Sequence, residues 1–275
     1  MILSFHPLYT ADVNLNCAGR NPGTAEQDAV RRASAVLLPQ GCHEPLYRLA
    51  RENCPHVFPN YDARFAFPGK CGQIRLFRQR NIPHPTTRLF ASLAQFKHSG
   101  VSVPVPAVLK FDWGGEGRTV HRISTRSEFE QCAALIKTYE SSGQYGFMMQ
   151  AFVPNDGRSL RVVAVNEAFR AYWRVLPEKD GFYTQVSRGA VIDAQSDPAL
   201  QKAAVRQAEH ICRITGINLA GFDFVFSTRD LLAGRIKPLL LEINYFFGRR
   251  GLGGSRAYYH LLLPQMSRWL KTVHD

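Results

Sequence analysis

Three oxygen-bearing side chains sit on short apolar stretches in the last quarter of this 275-residue chain. Asp223 interrupts Ala220-Gly221-Phe222-Asp223-Phe224-Val225-Phe226, and Glu242 and Asn244 alternate with apolar residues in Leu239-Leu240-Leu241-Glu242-Ile243-Asn244. The two-residue period of a strand puts 242 and 244 on one face, and pairing of the two strands would add Asp223 to it. Two carboxylates and an amide oxygen form a hard donor set that suits Mg²⁺, with Mn²⁺ as the alternative. Carboxylates on such apolar flanks need a counter-charge. That charge is either a metal or basic side chains that neutralise them, unless the face is simply solvated.

A second constellation is Lys110-Phe111-Asp112-Trp113-Gly114-Gly115-Glu116-Gly117-Arg118. Gly114, Gly115 and Gly117 let backbone N–H groups approach phosphate oxygens with no Cβ in the way. Lys110 at the strand end can serve as a point charge on a phosphate. The stretch has no G-K-[ST] ending and opens into a strand, so it is neither a P-loop nor a dinucleotide fingerprint. An ordinary hairpin turn with a surface lysine is the plainer alternative. In Met148-Met149-Gln150-Ala151-Phe152-Val153, a strand runs into a turn whose backbone can hydrogen-bond adenine between apolar side chains, or is merely a core strand. Arg161, Arg174 and Arg188 lie in or after strands of the middle segment. Converging guanidiniums would take a γ-phosphate or a carboxylate in bidentate fashion; singly, each is a surface charge.

The elements that must position these groups can be read from local patterns. Ala35 to Gly41 reads as an apolar strand ending in a Pro/Gly turn, and 44–53 as a helix with Leu46, Leu49 and Ala50 on one side. A helix is expected from about Gly72 to Arg80, then an extended connector Asn81-Ile82-Pro83-His84-Pro85-Thr86. A second helix is expected near Ser92 to His98. Strands are expected at 105–111, 120–123, 147–153, 161–164, 168–175, 219–226 and 239–244. Helices are expected at 127–140, opened by a capping box at Ser127, at 197–215, stopped by Gly216, and at 256–270. Hairpins with helices outside them indicate an α+β fold. Residues 1–67 form a short α/β unit and 68–275 the main domain, with lobes at 68–150 and 151–275.

Composition narrows the classes. Hydrophobic residues make up 45% and charged residues 20%, which suits a globular chain. No apolar run is long enough to span a bilayer, and the N-terminus has no basic leader before an apolar block, so no membrane association and a cytoplasmic location are expected. The six cysteines show no C-x-x-C pair and read as free thiols. The net charge of +12 is spread along the chain rather than blocked. That distribution favours an anionic small-molecule or peptide ligand over nucleic acid.

Taken in order, these segments resemble the ATP-grasp superfamily, and within it the RimK-type carboxylate–amine ligases. The resemblance runs over roughly residues 35 to 270. It rests on Gly69-Lys70 with Ile82-Pro83-His84-Pro85-Thr86, on Lys110 with Gly114 to Gly117, and on Gln150-Ala151-Phe152-Val153. Arg161-Val162, Ala220-Gly221-Phe222-Asp223 and Leu241-Glu242-Ile243-Asn244 complete it. It implies an ATP-grasp fold of two α+β subdomains clasping ATP, preceded by a short pre-ATP-grasp unit. It also implies that Lys70 and Lys110 contact phosphates, that the hinge 150–153 binds adenine with Ser159 and Arg161 nearby, and that Asp223, Glu242 and Asn244 hold Mg²⁺. Arg174 and Arg188 would act at the reacting centre. The implied activity is an ATP- and Mg²⁺-dependent ligase joining a carboxylate to an amine through an acyl phosphate. A kinase on the same scaffold and a non-catalytic ATP-binding module are the alternatives.

The chain departs from that family at Ala151, where an acidic hinge residue is usual, and at Ser159, where an Asp is usual. It also departs at Phe182-Tyr183-Thr184-Gln185, at Gly189-Ala190, and at Tyr245-Phe246-Phe247-Gly248, which replaces a small-residue-Pro-Gly turn. The last change puts bulky aromatics where substrate is expected, with a basic, glycine-rich stretch from there to Ser255.

Overall fold

A computed structural model describes residues 1–100, 105–114, 119–177, 182, 184 and 189–273. The chain begins with β1 (Ile2–Ser4), β2 (Val13–Asn14), α1 (Thr24–Arg31), β3 (Ala35–Leu37), α2 (Glu44–Asn53), β4 (His56–Phe58) and α3 (Asp62–Ala66). The strands form a parallel sheet in the order β2-β1-β3-β4. Helices on the crossovers explain the apolar run at 35–38, because a parallel strand is covered on both faces.

Next come α4 (Gly69–Gln79), β5 (Thr87–Phe90), α5 (Leu93–His98), β6 (Ala107–Phe111), β7 (Val120–Ile123), α6 (Arg126–Ser141) and β8 (Phe147–Ala151). They build an antiparallel sheet in the order β5-β8-β6-β7. Several details differ from the sequence expectation. The helix expected from about Gly72 begins at Gly69, which brings Lys70 onto it, and the strand expected over 147–153 ends at Ala151. The extended connector continues into β5, whose four residues pair with β8 from Thr87 opposite Gln150 to Phe90 opposite Phe147. And α6 is capped by Thr125 rather than Ser127: the Thr125 hydroxyl accepts from Glu128 N–H at 3.2 Å, and the Glu128 carboxylate accepts from Thr125 N–H at 3.0 Å.

The remainder is β9 (Arg158–Val165), β10 (Ala168–Val175), β11 (Val191–Asp193), α7 (Pro198–Thr215), β12 (Leu219–Val225), α8 (Thr228–Leu232), β13 (Leu239–Asn244) and α9 (Gly254–Thr272). Its antiparallel sheet runs β11-β10-β9-β12-β13, leaving β13 at an edge. Gly216 ends α7 at a left-handed φ of +74°, as expected.

Burial ties the parts together unequally. Leu3 and Val36 of the parallel sheet share one buried cluster with Leu160, Phe222 and Ile243 of the five-stranded sheet. Phe90, Leu109 and Phe147 form a separate cluster with Cys132 and Ile136 of α6. All six cysteines are free thiols. Among the described residues no helix is long and apolar enough to cross a membrane.

Candidate functional site

β12 and β13 pair antiparallel with Asp223 opposite Glu242 and Gly221 opposite Asn244, so the three oxygen-bearing side chains do meet. A bulge comes directly after Asp223, and the register shift leaves Leu241 as the extra residue on β13. Asn244 donates its amide N–H to Asp223 Oδ2 at 3.1 Å. On the other side β9 places Arg161 opposite Asp223. Arg161 grips that carboxylate with both prongs, Nε to Oδ1 and Nη2 to Oδ2, each at 2.7 Å. Arg174 adds Nη2 to Oδ2 at 3.1 Å. Burial pushes the Asp223 carboxyl up, but Arg161 and Arg174 outweigh it and hold the group at about 2.

Asp223 therefore already has basic partners, and only Oδ1 keeps accepting capacity, since a carboxylate oxygen offers two lone pairs. Glu242 differs. It makes no hydrogen bond or ion pair among the described residues, while its charge acts on both Lys70 and Lys110. Asn244 spends its amide N–H on Asp223, and its side-chain carbonyl oxygen has no partner among the described residues. Those oxygens fit Mg²⁺, which is typically held by one or two carboxylates together with phosphates and water. Among the described residues no cluster of three His, Cys, Asp or Glu is present.

Arg174 is further fixed by Ser159. Its Nε and Nη2 donate to Ser159 Oγ at 3.2 and 2.9 Å, and Ser159 Oγ lies 2.7 Å from Thr184 Oγ1. Arg161, Arg174 and Ser159 thus form one network around Asp223. Arg188, Gly115 and Gly117 lie outside the described residues.

Lys110 extends from β6 and is only 7% exposed, yet its ammonium has no hydrogen-bond partner among the described residues. Burial lowers its pKa, opposed by the Glu242 carboxylate. Lys70, on the first turn of α4, donates from Nζ to the carbonyls of Trp113 and Gly114 at 3.0 and 2.7 Å. It holds the stem of the glycine-rich loop. Asp112 joins in by accepting Cys71 N–H at 2.7 Å. Gly69 has a φ of +70°, and a Cβ there would lie 2.3 Å from Asp112 Oδ1, so only glycine allows this approach. Gly114 sits at φ +79° against Thr119.

At the hinge, Gln150 donates to Thr87 Oγ1 at 2.9 Å, and Ala151 N–H is taken by Thr86 O at 2.8 Å. Phe152 N–H reaches Pro106 O at 3.4 Å. The Val153 N–H has no protein partner among the described residues. The Phe152 ring lies under Arg122 at 4.6 Å and 6.1 Å from the Phe182 ring.

These groups line one cavity of about 980 Å³ between the two antiparallel sheets. Lys70, Lys110, Arg161, Arg174, Arg249 and Arg250 line it against Asp112, Asp223 and Glu242, so the wall is electropositive. The aromatic segment after Asn244 is divided. Tyr245 packs edge-on to Tyr61 at 5.7 Å and Phe247 edge-on to Tyr258 at 5.7 Å, while Phe246 is 74% exposed at the cavity. Residues 249–254 then form a hydrogen-bonded turn rather than a loose loop: Leu252 and Gly254 N–H bond Arg249 O, both at 3.0 Å. A Cβ on Gly251 would fall 2.1 Å from the Tyr172 ring. Arg249 stacks over Tyr258 and Tyr259 at 4.6 and 4.7 Å. Arg250 is exposed to the cavity without a partner among the described residues.

Sequence reasoning missed Gln73. It lies on α4 and bonds the backbone of Ile243, between Glu242 and Asn244. A glutamine on a helix face carries no local mark of such a partner.

The succession of sheets and helices matches that of solved structures with the ATP-grasp fold. An ATP-grasp RimK domain protein from Sphaerobacter thermophilus superposes with a TM-score of 0.64 at 15% identity, covering 96% of this chain and 98% of its own. The ADP complex of PurK, an N5-carboxyaminoimidazole ribonucleotide synthetase, superposes with a TM-score of 0.62 at 10% identity over 88% of this chain. An L-amino acid ligase from Bacillus licheniformis gives 0.55 at 14% identity over 88% of this chain. The chain spans 62% of that PurK and 58% of that ligase. Neither a family model nor the sequence of a curated protein matches.

Proposed function

We propose that this chain is an ATP- and Mg²⁺-dependent ligase that joins a carboxylate to an amine through an acyl phosphate. The observation that carries the reading is Lys110: a lysine buried at an electropositive cavity, with no hydrogen-bond partner for its ammonium among the described residues, is unfavourable until an anion reaches it. ATP supplies that anion, and ADP- and ATP-bound solved structures share the fold. Adenine is read at 150–153, with the Val153 N–H as its backbone donor. Lys110 holds phosphate oxygens, joined by Lys70 through the donor it has not spent on the loop stem. Glu242, Asn244 and the free lone pair of Asp223 Oδ1 would hold Mg²⁺, which supplies charge neutralisation on the triphosphate.

Arg161 and Arg174 supply the reacting centre with two fixed guanidiniums. Asp223 and Ser159 hold them in place before substrate arrives, so charge developing on the transferred phosphoryl group or on the later tetrahedral oxyanion meets pre-oriented donors. The carboxylate attacks the γ-phosphorus, ADP leaves, the amine attacks the acyl carbon, and phosphate departs. An ADP-release screen of the purified protein with MgATP against amino acids and short peptides tests this. ADP, inorganic phosphate and a new amide in equal amounts are expected. ADP together with a stable phosphorylated product would instead make the chain a kinase, and MgATP binding with no turnover would make it a binding module.

The substrate side also has an expected outcome. Arg250 is the cavity-facing guanidinium with nothing to hold among the described residues, so Arg250→Ala should raise KM for an anionic substrate about tenfold, the size of one charge-assisted hydrogen bond. ATP affinity should stay within about twofold, because uniform substrate binding is what such a contact provides. Arg249→Ala should leave KM nearly unchanged and lower stability by about 1 kcal/mol, since its guanidinium is spent on Tyr258 and Tyr259. Calorimetry with steady-state kinetics separates the two.

A further inference from the structure

β13 is an edge strand, and edge strands leave a row of backbone groups unpaired. Here that row is taken up. Gln73 donates its amide N–H to Ile243 O at 2.9 Å and accepts Ile243 N–H on its side-chain oxygen at 2.8 Å. Further along, Leu240 N–H bonds Pro83 O at 2.8 Å. A primary amide presents one donor and one acceptor side by side, as a peptide does, so Gln73 pairs with Ile243 as one residue of a neighbouring strand would.

Position matters as much as pairing. Ile243 lies between Glu242 and Asn244, whose side chains leave the strand on the opposite face, toward the cavity. Lys70 is three residues before Gln73 on α4, and residues at that spacing share a helix face. One side chain therefore fixes the distance between the helix that carries Lys70 and the strand that carries Glu242 and Asn244, 170 residues away.

We propose that Gln73 is a positioning residue that locks the phosphate-binding helix and the cation-binding strand into one frame, so that MgATP meets both at their working separation. This rests on the reading of the cavity as a MgATP site. The test is calorimetric binding of ATP by the full chain, with Mg²⁺ titrated and again in EDTA, alongside thermal melting. In Gln73→Met, which keeps length and loses both bonds, the Mg²⁺ needed for half-maximal ATP binding rises about tenfold, the usual range for losing a group that orients a metal ligand. ATP affinity in EDTA changes far less. Gln73→Glu keeps the acceptor for Ile243 N–H and gives a second folded variant with a smaller shift in the same direction. If both variants melt earlier but bind MgATP like the parent, Gln73 is only structural and the proposal falls. If the parent itself shows no MgATP binding, the reading of the cavity falls first and takes this proposal with it.

Discussion

Glu242→Gln should cut Mg²⁺-dependent turnover by about 10² or more, the scale of losing a principal electrostatic group at a reacting centre. The substitution keeps shape and removes one charge. Glu242 is the carboxylate of the trio that no basic side chain has claimed by hydrogen bond or ion pair among the described residues, whereas Asp223 already holds two arginines. The sign of the effect should depend on the metal. With Mg²⁺ present, ATP affinity falls and the half-saturating Mg²⁺ concentration rises. In EDTA the same variant should bind ATP as tightly as the parent or more so, because a carboxylate that repels bare phosphates is gone while Lys70 and Lys110 remain. Parallel binding curves in both conditions would show that crossover. A variant that kept the parent's Mg²⁺ dependence would remove Glu242, and with it the metal reading, from this cavity.

Lys110→Met should lose ATP affinity by about 10- to 100-fold, as expected when a charge-assisted phosphate contact disappears. It should also melt at a higher temperature. Lys110 is buried with no hydrogen-bond partner for its ammonium among the described residues, and an apolar side chain of similar length at that position carries no charge to desolvate. The gain depends on pH in a defined direction. Burial depresses the folded-state pKa of Lys110 below its ordinary value near 10.5. Between those two values the unfolded chain binds more protons than the folded one, so the parent's stability at this site recovers as pH rises. The variant's advantage is therefore full below the folded pKa and fades toward the ordinary one. Melting curves at neutral and alkaline pH, with and without ATP, check both halves. Equal affinity would remove Lys110 from the phosphate contacts, and equal stability would show that its burial carries no net cost.

The elements around Asp223, Glu242 and Asn244 were legible because strand periodicity is local and their apolar flanks leave a carboxylate nowhere ordinary to go. The same locality hid other features. β5 comes after a proline-rich connector, so its propensity signal was masked by prolines before it, and only pairing with β8 makes it a strand. The cap of α6 lies two residues before the Ser127 that the sequence suggests, because Thr125 and Ser127 are chemically alike and which one caps depends on where the helix starts. Asp223 as an arginine acceptor depends on strand register across β9, β12 and β13, which no single segment encodes. Arg249 and Arg250 are adjacent and identical in type. Only the rings of Tyr258 and Tyr259 on α9 assign one to packing and leave the other facing the cavity.

The shared burial of the parallel sheet with the five-stranded sheet has a consequence for how the molecule opens. Leu3, Val36, Leu160, Phe222 and Ile243 lose their surroundings together or not at all, so amides of β1, β3, β9 and β12 should exchange with solvent deuterium as one slow set. The sheet carrying Lys110 keeps its own interior around Phe90, Leu109, Phe147 and Ile136. It can open at lower free energy while Asp223 and its arginines stay folded. β8 is tied to both interiors, since Met148 sits in the larger cluster and Phe147 in the smaller. If nucleotide binds across the cavity as proposed, it should slow exchange most in β6, whose Ala107, Leu109 and Phe111 lie in the smaller cluster.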